Sequence, residues 1–344
     1  MNEIVLPGDE ANAFDHLAGY GIAAILDAHD PGSVRLGWTD ELEPRLMLFD
    51  TDWDTIARAV HSHASAHTAE DSWVQVDGKN NGSLSGLFSP RVKAMDGPEA
   101  RAWYADRESV LDRITGQWAA LDHAMVGALG MPSYWSYDRG EPRPDHGASR
   151  WEMKTRNRGE DFVANRLRLL ARAVAARTPE EVASGLEGAT CADEAGKGKA
   201  DSRTPTGLMP PQPADNARAW CALWGVSLLP VSHSVLGASQ TAGHVAHHSQ
   251  GRLYLPLMTG RWPAARLRSV LRSAQLRAVA TVGIASRELS GGPVSDADRV
   301  AAWSWLTARG VLAVVRFPVF RSPNQSAPEK WAQRGVRLLP EAVG

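Results

Sequence analysis

Residues 154–177 constrain this chain more than any other stretch. Phe162, Val163, Leu167, Leu170, Ala171 and Val174 recur at steps of three and four, the spacing of a helix buried along one side. That face has to find a core. Glu160 or Asp161 stands where the helix begins, and its first amides, partly positive, favour an acidic cap. Seven cations share the stretch: Lys154, Arg156, Arg158, Arg166, Arg168, Arg172 and Arg177. The spacing turns Arg158, Arg168 and Arg172 to water and leaves Arg166 near the apolar seam. Two interpretations follow. One is a solvated basic face; the other is an element that contacts phosphates.

Composition bears on that choice. The net charge over 344 residues is −2, so any attraction for nucleic acid has to come from local patches. Only six of the 37 basic residues are Lys, which leaves 31 Arg. The planar guanidinium suits phosphate and base edges, because it donates two hydrogen bonds at once. A GC-rich genome also enriches Arg. A hydrophobic fraction of 43% with 22% charged residues is that of a globular protein with a real core. The 13 tryptophans are core candidates first and interface or stacking candidates second. Cys191 and Cys221 make neither a disulfide framework nor a zinc pattern. With no signal sequence and no uncharged apolar run of membrane-spanning length, the expectation is a soluble cytoplasmic protein without membrane contact.

The periodicities predict an α+β, helix-rich fold. An N-terminal mixed α/β part (1–186) precedes a flexible linker or insertion (187–216). A C-terminal, mainly helical part (217–344) carries one late strand. Helices are expected over 14–26, 52–68, 98–130, 162–177, 217–229, 263–280 and 295–309. Strands are expected over 33–38, 45–49, 73–76, 253–257 and 311–317, and the last 25 residues read as loop. Gly19 and Gly21 weaken the first helix but permit close packing of another element. Segment 187–216 is rich in Gly, Ala, Asp, Lys, Ser, Thr and Pro, with few residues able to pack.

There is no Walker-type phosphate loop, no Gly-x-Ser-x-Gly elbow and no dinucleotide fingerprint after a strand. His61, His63 and His67 form one histidine group, and His244, His247 and His248 another. Spacing of i and i+4 can hold zinc, with Asp50, Asp52 or Asp54 as a further ligand to the first group. Neither group has the Glu of the zinc-protease motif, so hydrogen-bonded histidines are the default and a metal-dependent hydrolase or nuclease is the alternative. Binding is the leading interpretation, and no cofactor is implied. Lys79, Asn80 and Asn81 offer a cation and two amides, which can contact phosphate and base edges. Arg91 and Lys93 follow on the same segment. A plain Asn-Gly turn between strands is the competing interpretation, and a Trp-rich protein-interaction scaffold is a third function.

Four patches in order resemble the large subunits of type I CRISPR effector complexes, closest to the I-G (formerly I-U) group. They are Phe14 to Ile22, Asn81-Gly82-Ser83 with Phe88 to Lys93, Arg156 to Leu167, and Ala222 to Pro230 followed by Gln240 to Gly243. The resemblance implies a non-catalytic large-subunit-like or accessory protein of a Cascade ribonucleoprotein. Such a protein would bind crRNA and target double-stranded DNA, contribute to protospacer-adjacent-motif recognition, and contact other Cascade subunits and the helicase–nuclease. It makes loop 78–83 a candidate motif reader, and Arg156, Arg158, Arg166 and Arg168 candidate backbone contacts.

Overall fold

A computed structural model describes residues 3–80, 82–133, 135–153, 161–233, 238–245, 251–284, 294–324 and 328–340. The fold is α+β and rich in helix. The first half contains β1 (Glu3–Val5), α1 (Ala13–His29), β2 (Arg35–Trp38), β3 (Leu46–Phe49), α2 (Trp53–Ala66), β4 (Asp77–Asn80), β5 (Ser83–Gly86), α3 (Gly97–Leu111), α4 (Ala119–Leu129), β6 (Tyr137–Asp138) and β7 (Glu141–Pro142). A π-turn, Val163–Leu167, leads into α5 (Arg168–Ala175), α6 (Pro179–Leu186) and α7 (Asn216–Gly225). The remainder is β8 (Val231–Ser232), β9 (Gln240–Thr241), β10 (His244–Val245), β11 (Arg252–Met258), α8 (Ala264–Leu271), α9 (Ala274–Ala280), α10 (Asp296–Thr307), β12 (Val311–Arg321), β13 (Lys330–Ala332) and β14 (Val336–Leu338).

The centre is the crossing of α1 and α7. Both helices are buried nearly all round, so neither shows a clean amphipathic stripe. Their backbones touch. A Cβ on Gly21 would lie 1.8 Å from the Cys221 carbonyl oxygen, and one on Gly225 would lie 2.2 Å from that of Leu17. The sequence predicted close packing at Gly19 and Gly21, and both make it, Gly19 against the Leu46 side chain.

Around this crossing lie two antiparallel sheets. The smaller has the order β1-β3-β2, and the larger runs β10-β11-β12-β13 with β14 also on β12. The Leu36–Trp262 bridge ties β2 to the segment that follows β11, each amide donating to the other's carbonyl at 2.8 and 2.7 Å. One hydrophobic core runs through residues of both halves of the chain. The two-part division expected from sequence therefore has no matching break in the core.

Several expectations need correction. Segment 187–216 is packed: Leu208 is fully buried, and the buried Asp193 accepts from Gly196 N, Thr204 Oγ1 and Asn216 Nδ2. A polar hub replaces the missing apolar residues. The 98–130 helix is two, interrupted where Gly116 adopts φ +84°. Ser273 caps a new helix inside the expected 263–280 helix, accepting from Leu276 N at 3.1 Å. Residues 73–75 form a turn that buries Trp73 and Val74, and the strand begins at Asp77. The C-terminal part carries a five-stranded sheet, and two three-residue strands lie in the expected loop after 319. No helix of the described residues is long and apolar enough to cross a membrane.

Candidate nucleic-acid interface

Asp161 caps the basic helix. Its Oδ1 accepts from Val163 N (2.8 Å) and Ala164 N (3.0 Å), and its Oδ2 accepts from Gly86 N (2.9 Å), which ties the helix start to the β4–β5 hairpin. Burial pushes this carboxyl up, against those three hydrogen bonds. The predicted apolar face, Phe162 to Val174, is wholly buried.

The helix's cations divide by what they touch. Arg168 does not face open water as the spacing suggested. It is half-buried and grips Asp77 with two nitrogens, while Arg172 donates to Gln75 Oε1 at 2.9 Å. Arg177, itself buried, is held by Asp215 and Glu194. These three clamp neighbouring segments to the helix. Arg166 is different. It emerges from the π-turn, a geometry common at functional sites, and with Asn165 lines a pocket of about 320 Å³. Lys199, Asp201 and Arg203 line the other wall, on the loop that Asp193 shapes. Sequence reasoning missed Lys199 and Arg203, because nothing local shows that 193–204 folds back onto residue 166. Lys154, Arg156 and Arg158 lie outside the described residues.

Loop 78–83 is the turn of an antiparallel hairpin, with Asn80 opposite Ser83 and Gly82 at φ +74°. Lys79 is exposed, Asn80 is buried, and Asn81 lies outside the described residues. Arg91 also turns inward. Its Nε donates to Glu152 at 2.9 Å, and the two side chains are 8% and 1% exposed. Lys93 is exposed.

The histidines separate as well. His61 is half-buried, whereas His63 and His67 are buried among Trp73, Trp118, Trp220 and Trp224. Trp220 Nε1 donates to His63 Nδ1 (3.1 Å), which assigns the His63 proton to Nε2. Burial, then the neighbouring His67, holds His63 well below the usual imidazole range. His67 Nδ1 donates to the His63 carbonyl, and its Nε2 shares a hydrogen bond with Asp122 Oδ1, both at 2.7 Å. Three of the four ring nitrogens are hydrogen-bonded and the fourth, His63 Nε2, carries the proton in this arrangement, so the pair offers no ready lone pair to zinc. Asp52 caps α2 and Asp54 pairs with Arg58, so neither joins them. His244 is half-buried on β10, and His247 and His248 lie outside the described residues. Among the described residues no three His, Cys, Asp or Glu side chains are grouped as a metal site.

The chain matches no protein-family model and no curated protein.

Proposed function

We propose that the protein is a non-catalytic nucleic-acid-binding subunit of a CRISPR interference ribonucleoprotein. In this reading it holds crRNA or target double-stranded DNA by the phosphates, beside other Cascade subunits and the helicase–nuclease. The resemblance of its motifs supports the assembly. One observation supports the binding: Arg166, Lys199 and Arg203 line the pocket at the π-turn together with Asp201, and Glu329 holds Arg203 from its side. A polar wall with an exposed Lys199 and the Arg166 guanidinium suits a phosphate backbone. Phosphate contacts set register, and sequence information has to come from other groups. Lys79 and Lys93 add exposed cations on the hairpin side.

The test is anisotropy with a labelled duplex and a labelled guide-type RNA at low ionic strength. Wild type should bind, and Arg166→Ala and Lys199→Ala should each weaken binding by a similar factor for unrelated sequences. Lys199 is exposed, so its variant checks the idea even if the Arg166 variant folds poorly. Wild-type protein that ignores both nucleic acids would refute the proposal.

A further inference from the structure

The π-turn pocket holds more chemistry than a phosphate needs. A phosphate backbone can be held on an open surface, whereas a cavity of about 320 Å³ lies within the range that encloses one small organic ligand. Two segments far apart in sequence form its walls. Asn165 and Arg166 stand on one side, and Lys199, Asp201 and Arg203 on the other. Both walls are fixed through their backbones. Asn165 N donates to the Asp161 carbonyl at 3.0 Å, and Ser202 N donates to the Lys199 carbonyl at 2.9 Å. Ser202 Oγ donates to Thr204 Oγ1 (3.1 Å), which donates in turn to Asp193 Oδ1 (2.7 Å), and all three residues are buried. Asp201 is therefore carried on a pinned turn.

The side chains differ in what is already engaged. Arg166 donates to the Asn165 carbonyl at 2.7 Å, and Arg203 is paired with Glu329. The Asn165 amide, the Lys199 ammonium and the Asp201 carboxylate make no hydrogen bond or ion pair among the described residues. Lys199 and Asp201 are only two positions apart, yet they do not pair with each other. Three unlike groups thus face one cavity: a cation, an acceptor-only carboxylate, and an amide that both donates and accepts. A carboxylate repels phosphate, so a site for phosphate alone has no use for Asp201. It is well suited to a hydroxyl, which donates to it in a charge-assisted hydrogen bond.

We infer that this pocket takes one unpaired ribonucleotide, an inference that rests on the nucleic-acid role proposed above. Lys199 meets the phosphate, Asp201 accepts from the ribose 2′-hydroxyl, and Asn165 reads a base edge that no pairing partner occupies. Deoxyribose lacks that hydroxyl, so the same carboxylate tells RNA from DNA.

Anisotropy with three labelled single strands of one sequence tests it: RNA, its 2′-O-methyl form, which cannot donate from that position, and DNA. Wild type should bind the RNA about tenfold more tightly than either of the others, the scale of one hydrogen bond to a charged group. Asp201→Ala should abolish that preference, and Asp201→Asn, whose amide oxygen still accepts, should keep part of it. Lys199→Ala should weaken all three strands alike, since all carry phosphates. Asn165→Ala should weaken the single-stranded RNA and leave the same RNA paired with its complement unaffected. Lys199 and Asp201 are exposed, so their variants report on binding and not on folding. Should Asp201→Ala instead tighten RNA and DNA by the same factor, its carboxylate merely repels phosphate and the assignment is overturned. Equal wild-type affinity for the three strands would overturn it too, while leaving the nucleic-acid role intact; no binding of any strand would end both.

Discussion

Arg168 holds Asp77 as a fork, with two guanidinium nitrogens 2.7 and 3.2 Å from the two carboxylate oxygens. Its Nε also donates to the Val74 carbonyl at 3.2 Å. A cation that sequence spacing offers to phosphate is therefore fastening the turn before β4. Arg168→Ala should lower stability by about 1 kcal/mol, a modest figure because the two side chains are 14% and 36% exposed and water screens the pair. It should leave the salt dependence of nucleic-acid binding as in wild type. Urea denaturation and anisotropy measure the two effects, and a shallower salt dependence would show that Arg168 contacts phosphate after all.

The α1–α7 crossing gives a prediction opposed to helix propensity. Ala is favoured over Gly inside a helix by about 1 kcal/mol. Gly127 in α4 is exposed, and nothing lies within 4 Å of a Cβ there, so Gly127→Ala should be stabilising. Gly21→Ala should instead destabilise by about 3 kcal/mol, because its methyl would meet the Cys221 carbonyl and force two backbones apart. Equal melting temperatures for the two variants would contradict this packing.

Asp122 is the acceptor on which a buried cluster depends. Its Oδ1 shares a hydrogen bond with His67 Nε2 at 2.7 Å and accepts from Trp73 Nε1 at 2.9 Å. Asp122→Ala should destabilise by about 3 kcal/mol, the scale for removing one partner from a buried pair. Tryptophan fluorescence of the folded variant should change too, since Trp73, Trp220 and Trp224 pack on these histidines. A variant with wild-type stability would show that the cluster is held by apolar packing alone.

Acid should weaken the fold through buried histidines. His16 is fully buried, and burial pushes it down from 6.5 to about 4. The unfolded chain takes up that proton first. Stability present above 6.5 is therefore lost as pH falls towards 4, by about 3 kcal/mol from this residue. His63 and His244 act in the same direction. Asp15, pushed up to about 6 by burial, acts the other way, and its contribution is lost as pH rises from 3.8. Asp161, also pushed up by burial, acts with Asp15, and the three buried histidines outweigh the two carboxyls to leave a net loss on acidification. Chemical denaturation at pH 7 and pH 5 should give the lower midpoint at pH 5; an equal or higher one would contradict the assignment.

Legibility followed the length and locality of each signal. The basic helix's apolar face and its acidic cap were readable, because each depends on residues a few positions apart. The five-stranded sheet was not, since β10, β13 and β14 have two or three residues each and carry no period of their own. Composition misled at 187–216, where hydrogen bonds to Asp193 and the Arg177–Asp215 pair do what apolar residues do elsewhere. Arg166 was legible as an outlier near the seam. Lys199 and Arg203 were not, because each acquires its neighbours only through long-range folding.

The most direct measurement is the salt dependence of nucleic-acid affinity in wild type, Arg166→Ala and Lys199→Ala. Neutralised phosphates release counterions, so the slope of log affinity against log salt counts the contacts. Each substitution should make that slope shallower by about 1. Slopes identical to wild type, or no binding at low salt, would contradict the assignment of this pocket to a phosphate backbone.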